Sequence, residues 1–257
     1  GLAFCTVGEI GKAIEVSEKW LAEEPDNRVP RHMLAACSGR EVPARASDAY
    51  VENVFDTFAA SFDSRLASLS YRAPALVADM VERSGIERVP KFDVLDAGCG
   101  TGLCGPLLIA YARRLVGVDL SANMLAQARE RRVYHELVKR ELTAYLGDYT
   151  EAWDVIVSAD TLVYFGVLSD VVQAAPPALR RGGVVGFTVE GLAGTASGGG
   201  YQIKPHGRYS HTRGYLERVL PAAGLRPDIE RAELRMEAGV PVAGLVLRAT
   251  RVGESHV

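Results

Sequence analysis

Apolar positions along this chain follow three successive patterns. Up to about residue 45 the period is helical: Ile10, Ala13, Ile14, Val16, Trp20 and Leu21 share one face. Pro25-Asp26 interrupts that face, and a second helix runs through Met33-Leu34-Ala35-Ala36. From 46 to about 85, Tyr50, Val54, Phe55, Phe58, Phe62, Leu66, Leu69 and Tyr71 keep helical spacing, which predicts an amphipathic helix pair with an aromatic stripe. From Lys91 onward, short β-branched runs alternate with helical stretches, as in a parallel sheet covered on both faces. Strands are expected at 92–97, 115–119, 134–138, 153–160 and 184–190, with helices at 122–132 and 213–223. The chain thus divides into an N-terminal helical extension (1–45), a second helical segment (46–90) and an α/β domain (91–257).

The first of those strands leads into chemistry. Phe92-Asp93-Val94-Leu95-Asp96-Ala97 passes into Gly98-Cys99-Gly100-Thr101-Gly102, three alternating glycines behind one carboxylate. Without Cβ atoms the backbone can turn tightly against a ligand, while the next helix presents unpaired N–H groups to it. A dinucleotide fingerprint counted from Gly98 needs its third glycine at position 103, which is Leu103, so a nicotinamide dehydrogenase is disfavoured. A second apolar run ends at Asp119, where a carboxylate can accept both hydroxyls of a ribose; the alternative is a turn or capping aspartate, although Ser121 can itself cap the helix that follows. Asp160 closes the fourth strand, whose carboxyl end opens onto the ligand crevice of such a sheet; it could equally cap the next helix.

The spacing Asp96-x-Gly98-x-Gly100-x-Gly102, followed by "VGVDLSANMLAQAR", resembles the class I methyltransferases that bind S-adenosylmethionine. The resemblance implies a Rossmann-like sheet of seven strands, the last antiparallel, completed by runs near 226–235 and 242–250. It places Asp96 near the methionine end of the cofactor, the three glycines beneath it, and Leu120 and Met124 against adenine. Glu141 and Leu142 would meet the adenine edge, with Asp148 competing for that role; Asp160 would lie near the sulfonium or the acceptor, and Tyr164 on the pocket wall. The segment 46–90 resembles the lid of small-molecule methyltransferases, so Phe58, Phe62 and Tyr71 are site candidates as well as candidates for plain core packing. The first 45 residues resemble part of a tetratricopeptide repeat, and the whole chain resembles bacterial methyltransferases that carry such repeats. With only one to one and a half repeats, this piece must pack on the main domain or on a second copy, as in a homodimer.

Composition narrows the partners. At 257 residues and 48% hydrophobic the chain can bury a full α/β core, and no apolar run reaches membrane-spanning length. The start lacks the basic lead of a signal peptide. A net charge of −3 gives no footprint for nucleic acid, and Arg129-Glu130-Arg131-Arg132 reads as a solvated helix end. Cys5, Cys37, Cys99 and Cys104 make no C-x-x-C pair and read as reduced thiols of a cytoplasmic protein. His32, His135, His206, His211 and His256 show no metal-ligand spacing.

Methyl transfer needs in-line alignment of an acceptor and, for a protonated oxygen or nitrogen, a base. His211 is the candidate base, with His206 and Tyr164 behind it, and Arg208 could pair with a substrate carboxylate or with a surface acid. The glycine-rich 191–200 is expected as a moving loop at the rim. The expectation is therefore an S-adenosylmethionine-dependent methyltransferase acting on a small molecule, free or bound to a carrier or protein, through an O, N, S or C nucleophile, without metal. A catalytically silent scaffold of the same fold, with the N-terminal helices as interaction surface, is the alternative.

Overall fold

The structure is a computed structural model that describes residues 4–5, 8–194 and 199–252. The chain begins with a helical hairpin, α1 (Ile10–Glu23) and α2 (Arg28–Ser38). Asn27 caps α2 by accepting from the Val29 amide at 2.9 Å, and Gly39 ends it in the left-handed region. The hairpin packs on the rest of the chain: the His32 ring stacks on Tyr50 at 3.9 Å and its Nε2 bonds the Gly207 carbonyl at 2.8 Å.

The segment expected as a helix pair folds into three pieces, α3 (Asp48–Phe58), α4 (Phe62–Ser68) and α5 (Ala73–Arg83). A 3₁₀ turn at Ala59–Ser61 separates the first two. Then the alternation begins: β1 (Phe92–Ala97), α6 (Gly105–Leu108), β2 (Ala112–Asp119), α7 (Ala122–Glu130), β3 (Glu136–Lys139), α8 (Leu142–Gly147), β4 (Trp153–Ser158), α9 (Ser169–Ala178) and β5 (Leu179–Gly191). A small hairpin, β6 (Tyr201–Ile203) and β7 (Tyr209–His211), precedes α10 (Arg213–Ala222), β8 (Leu225–Glu237) and β9 (Val240–Arg251).

The strands pair in the order β3-β2-β1-β4-β5-β9-β8, and of these seven β9 alone runs opposite to the other six. The hairpin joins the far end of β5 through β7, opposite Glu190 and Gly191. Alternation explains the two cores: Val94 faces α5, packing with Val77, Met80 and Val81, whereas Leu95 faces α8, α9 and α10, packing with Leu146, Val172 and Leu216.

Several boundaries depart from the sequence reading. β3 starts at Glu136 rather than 134, β4 stops at Ser158, and β5 starts at Leu179 rather than 184 because Arg180-Arg181-Gly182-Gly183 forms an irregularity inside the strand. The β6–β7 hairpin carries no alternating pattern long enough to be read as strands. Residues 195–198 of the glycine-rich stretch lie outside the described residues, as does His256.

Candidate functional site

A cavity of about 210 Å³ opens at the carboxyl ends of β1, β2 and β4 beneath α3 and α4. Its floor is the glycine loop. Gly98 has φ +77°, and a Cβ there would fall 2.2 Å from the Thr161 hydroxyl oxygen, so only glycine fits. Gly100 has φ +54° and faces open space, with only Phe62 as near as 4.0 Å, so a side chain there would project into the cavity. Gly102 lies behind the loop against Tyr134 and does not line the cavity.

Three acids follow one another at the tips of β1 and β2 and just past β3. Asp96 is buried behind the loop and does not itself line the cavity; its Oδ2 accepts from the Tyr134 hydroxyl at 2.5 Å, and its Oδ1 has no partner at hydrogen-bond distance among the described residues, although the buried Cys104 thiol is a donor neighbour of the same carboxyl. Burial, reinforced by the charge of Asp119, pushes its pKa up to about 7. Asp119 lines the cavity and is held by two backbone amides, Gly100 to Oδ2 and Ser121 to Oδ1, both at 2.8 Å. The cap of α7 is Ser121, whose Oγ accepts from the Met124 amide at 3.0 Å, so Asp119 is not itself the cap, although it holds the turn that leads into it. Glu141 caps α8 with Oε2, 2.8 Å from the Ala144 amide, while Oε1 is buried without a partner among the described residues. Asp148, the competitor, is ion-paired to Arg140 at 2.8 Å and lies off the cavity. Leu120 and Leu142 line the cavity beside Glu141. Met124 does not; it is fully buried beneath α7 in the core.

The roof is aromatic. Phe55 meets Phe62 edge to face at 5.9 Å and Tyr164 at 5.4 Å, and Tyr71 and Phe165 complete the wall. Phe58 is not part of it: at the end of α3, where the turn becomes 3₁₀, it lies under the Arg65 guanidinium at 4.6 Å. Two carboxylates fasten this roof to the loop beneath. Asp56 accepts from the Ser121 hydroxyl at 2.5 Å and the Asn123 amide at 3.2 Å; Asp63 accepts from the Thr101 hydroxyl at 2.6 Å and pairs with Arg131.

The inner end is ionic. Asp160 takes a left-handed conformation, φ +56°, and its amide donates to the Thr188 hydroxyl at 2.9 Å. Its carboxylate meets Arg235 at 3.0 Å. Arg235 is buried and also bonds Glu190 and, at 2.7 Å, Glu237; Arg208 bonds the same two acids at 2.7 and 2.6 Å. Burial acts to raise Glu190, but Arg208 and Arg235 outweigh it and keep the carboxyl below its ordinary value. Asp160 is raised by burial despite Arg235. Arg208, Arg235 and Glu237 all line the cavity.

The expected bases stand elsewhere. His211 is fully buried, its Nε2 on the Gly166 carbonyl at 3.1 Å and its ring stacked on Tyr215 at 5.8 Å; burial lowers its pKa to about 4, and it does not line the cavity. His206, 3.7 Å from Glu190, is likewise lowered to about 4 by burial and by Arg208, and also lies off the cavity. Tyr164 does line it, but burial raises the phenol to about 12. No imidazole therefore borders this cavity among the described residues. Arg235, Glu190, Glu237, Phe55, Asp56 and Asp63 were not singled out from the sequence as site residues.

Comparison with known proteins places this geometry. Residues 94–183 match the family model described as Methyltransferase domain. Malonyl-[acyl-carrier protein] O-methyltransferase of Salmonella typhimurium is 35% identical over 95 residues, 37% of this chain and 38% of the relative. This chain thus spans well under half the length of that curated relative. Among solved structures, 1,6-didemethyltoxoflavin-N1-methyltransferase of Burkholderia thailandensis superposes with a TM-score of 0.61 at 20% identity, covering 83% of this chain and 93% of that one. The fold is that of the class I methyltransferases. The [4+2]-cyclase SpnF matches at least as well, TM-score 0.64 at 18% identity over 82% of this chain and 98% of that one, so the class I methyltransferase fold does not by itself fix the reaction.

S-adenosylmethionine is the cofactor of such a methyltransferase domain, and the residues present fit it. Gly98 admits no side chain, one at Gly100 would fill the cavity, and Glu141 keeps one buried carboxylate oxygen without a partner among the described residues.

Proposed function

We propose that this chain is an S-adenosylmethionine-dependent methyltransferase acting on a small acidic molecule. The observation that carries the reading is the row Asp96, Asp119 and Glu141. Neighbouring strands stand about 4.8 Å apart, so three acids at successive tips span about 10 Å. That row offers an acceptor for the ammonium at one end, for ribose hydroxyls in the middle and for the adenine amine at the other. Its outer members each keep one buried oxygen without a partner among the described residues.

Bound there, the cofactor would supply a methyl group already activated by its sulfonium. The chain's own work is positioning and exclusion of water. Phe55, Phe62, Tyr71 and Tyr164 close the space above the loop, and an aromatic wall is a favourable neighbour for a cation, at about 0.5–2 kcal/mol. With both histidines off the cavity, the acceptor would bring its own electron pair, as a carboxylate does, and needs no imidazole base. Arg45, paired with Asp48, and Arg208, shared between Glu190 and Glu237, stand on the cavity wall within reach of such an acceptor's end of the site, but their charge is already matched by those acids. Relatives named for malonyl-[acyl-carrier protein] and trans-aconitate point to an acidic acceptor.

The same reading takes the α1–α2 hairpin as a tetratricopeptide-like unit of a cytoplasmic protein, and its exposed Trp20 as the contact through which two copies would pair. Among the described residues no helix is long and apolar enough to cross a membrane.

Calorimetry with S-adenosylmethionine and its demethylated product tests the cofactor, and a methyl-transfer screen over small carboxylic acids tests the acceptor. Micromolar binding with turnover on acids supports both. Absence of binding sinks the enzyme; turnover confined to neutral or cationic acceptors sinks the acidic substrate alone.

A further inference from the structure

The four cysteines fall into two pairs of different character. Cys99 and Cys104 are buried around the glycine loop, and burial pushes both thiols well up. Cys5 and Cys37, 32 residues apart, are only half-buried, and their Sγ atoms stand 3.0 Å from each other. A disulfide needs about 2.05 Å, so the two sulfurs stand about 1 Å from bonding distance.

We propose that Cys5 and Cys37 are a reversible disulfide site that ties the segment before α1 to the end of α2, with a low-molecular-weight disulfide as oxidant. The exchange balances in two steps. One thiolate attacks the external disulfide, forms a mixed disulfide and expels one external thiol; the second thiolate attacks that mixed disulfide, closes the Cys5–Cys37 bond and expels the other. Two thiols here are oxidised and one external disulfide becomes two thiols. Burial, aided by the adjacent Cys5, pushes the Cys37 thiol up to about 12, which makes Cys37 a poor attacking thiol and a slow-reacting member of the pair.

The bond reports to the cavity through a short path. The Cys37 thiol donates to the Pro205 carbonyl at 3.6 Å, and His32 of the same helix bonds Gly207. Pro205 and Gly207 belong to the turn between β6 and β7, which leads into Arg208 on the cavity wall. Closing the disulfide takes the thiol proton away and leaves Pro205 without that donor. The inference does not depend on methyl transfer.

The test is non-reducing mass spectrometry of the whole protein after incubation with oxidised glutathione. The expected product has lost two hydrogens, carries no glutathione, yields one linked peptide pair containing Cys5 and Cys37, and reverts with dithiothreitol. Its midpoint of thermal unfolding rises by about 5 °C, a rise absent from Cys5→Ser and Cys37→Ser. Hydrogen exchange at 204–208 changes on oxidation in the native protein and not in either variant. Retention of glutathione on Cys5, linkage to Cys99 or Cys104, linkage between two chains, or unchanged thiols would overturn the site. Unchanged exchange at 204–208 would overturn its link to Arg208.

Discussion

The carboxylate of Asp160 and the guanidinium of Arg235 meet at 3.0 Å although 75 residues separate them, and around that contact the inner end of the cavity is assembled. Asp160 contributes from a left-handed turn after β4, Arg235 from β8 next to an irregularity in its pairing with β9. With its side chain 3% exposed, Arg235 is, together with Arg208, the counter-charge that lets the buried Glu190 and the mostly buried Asp160 stand beside the partly exposed Glu237.

Replacing it should therefore be costly. Arg235→Gln would leave Asp160, Glu190 and Glu237 with Arg208 as their one remaining arginine in the cluster, and uncompensated buried charge typically costs about 3–5 kcal/mol. Urea unfolding reads this directly. Arg235→Lys keeps the charge but not the fork, and should lie between the two. A loss below about 1 kcal/mol for the glutamine variant would mean that the cluster is hydrated.

Asp119 carries a different burden. It holds the loop through the Gly100 and Ser121 amides and, on our reading, the ribose. Asp119→Asn keeps one acceptor oxygen and nearly the same volume. We expect S-adenosylmethionine binding to weaken by about 1–3 kcal/mol, measured by calorimetry, and urea unfolding to lose a similar amount, because the new amide NH2 faces one of the two backbone N–H groups. Equal affinity in the variant would take the ribose away from this residue.

The roof should open when unfastened. Asp63 ties α4 to Thr101 and Arg131 but is half exposed, so its removal is mild for the fold. Asp63→Ala should speed amide exchange across residues 48–68 and weaken cofactor affinity by about 2–10-fold, the worth of one half-exposed polar contact. If exchange there stays as in the parent, the roof is held by its aromatic packing instead.

What could be read in the chain and what could not divide along sequence distance. The strand, the glycine loop and Asp119 lie within 92–119 and announce themselves through local spacing. Their positions in the structure follow from one βαβ unit. Arg235 and Glu237 lie in a stretch whose charges alternate as they would on a solvated edge, while Glu190 ends an apolar strand and Arg208 stands in the β6–β7 turn, so nothing local says that the four meet. Phe55 and Phe58 share one helical stripe in the sequence, yet of the two only Phe55 borders the cavity, while Phe58, the last residue of α3, lies under Arg65. His211 misled for a simpler reason. A titratable side chain in a three-residue strand has a side, and the sequence does not tell which; here it is the side of Tyr215.

Proton linkage gives the sharpest test of the ammonium end. Burial raises Asp96 from 3.8 to about 7 on folding. A carboxyl raised in this way favours the folded state while protonated, so its contribution is complete below about pH 3.8 and is lost as pH climbs through about 7. A cationic ligand has the opposite preference, since an ammonium binds the ionised carboxylate. Cofactor affinity should therefore increase from about pH 5.5 to 7, by at most about tenfold per pH unit, with a proton released on binding. Calorimetry in two buffers of different ionisation enthalpy counts that proton. Asp96→Asn should bind more weakly and without the slope. The burial of His206 and His211, both lowered to about 4, runs the other way: their contribution to stability is present above about pH 6.5 and lost as pH falls through about 4, so acid unfolding must be measured separately from binding. Proton uptake on binding, or the same slope in the asparagine variant, would remove Asp96 from the ammonium and leave it a support for Tyr134.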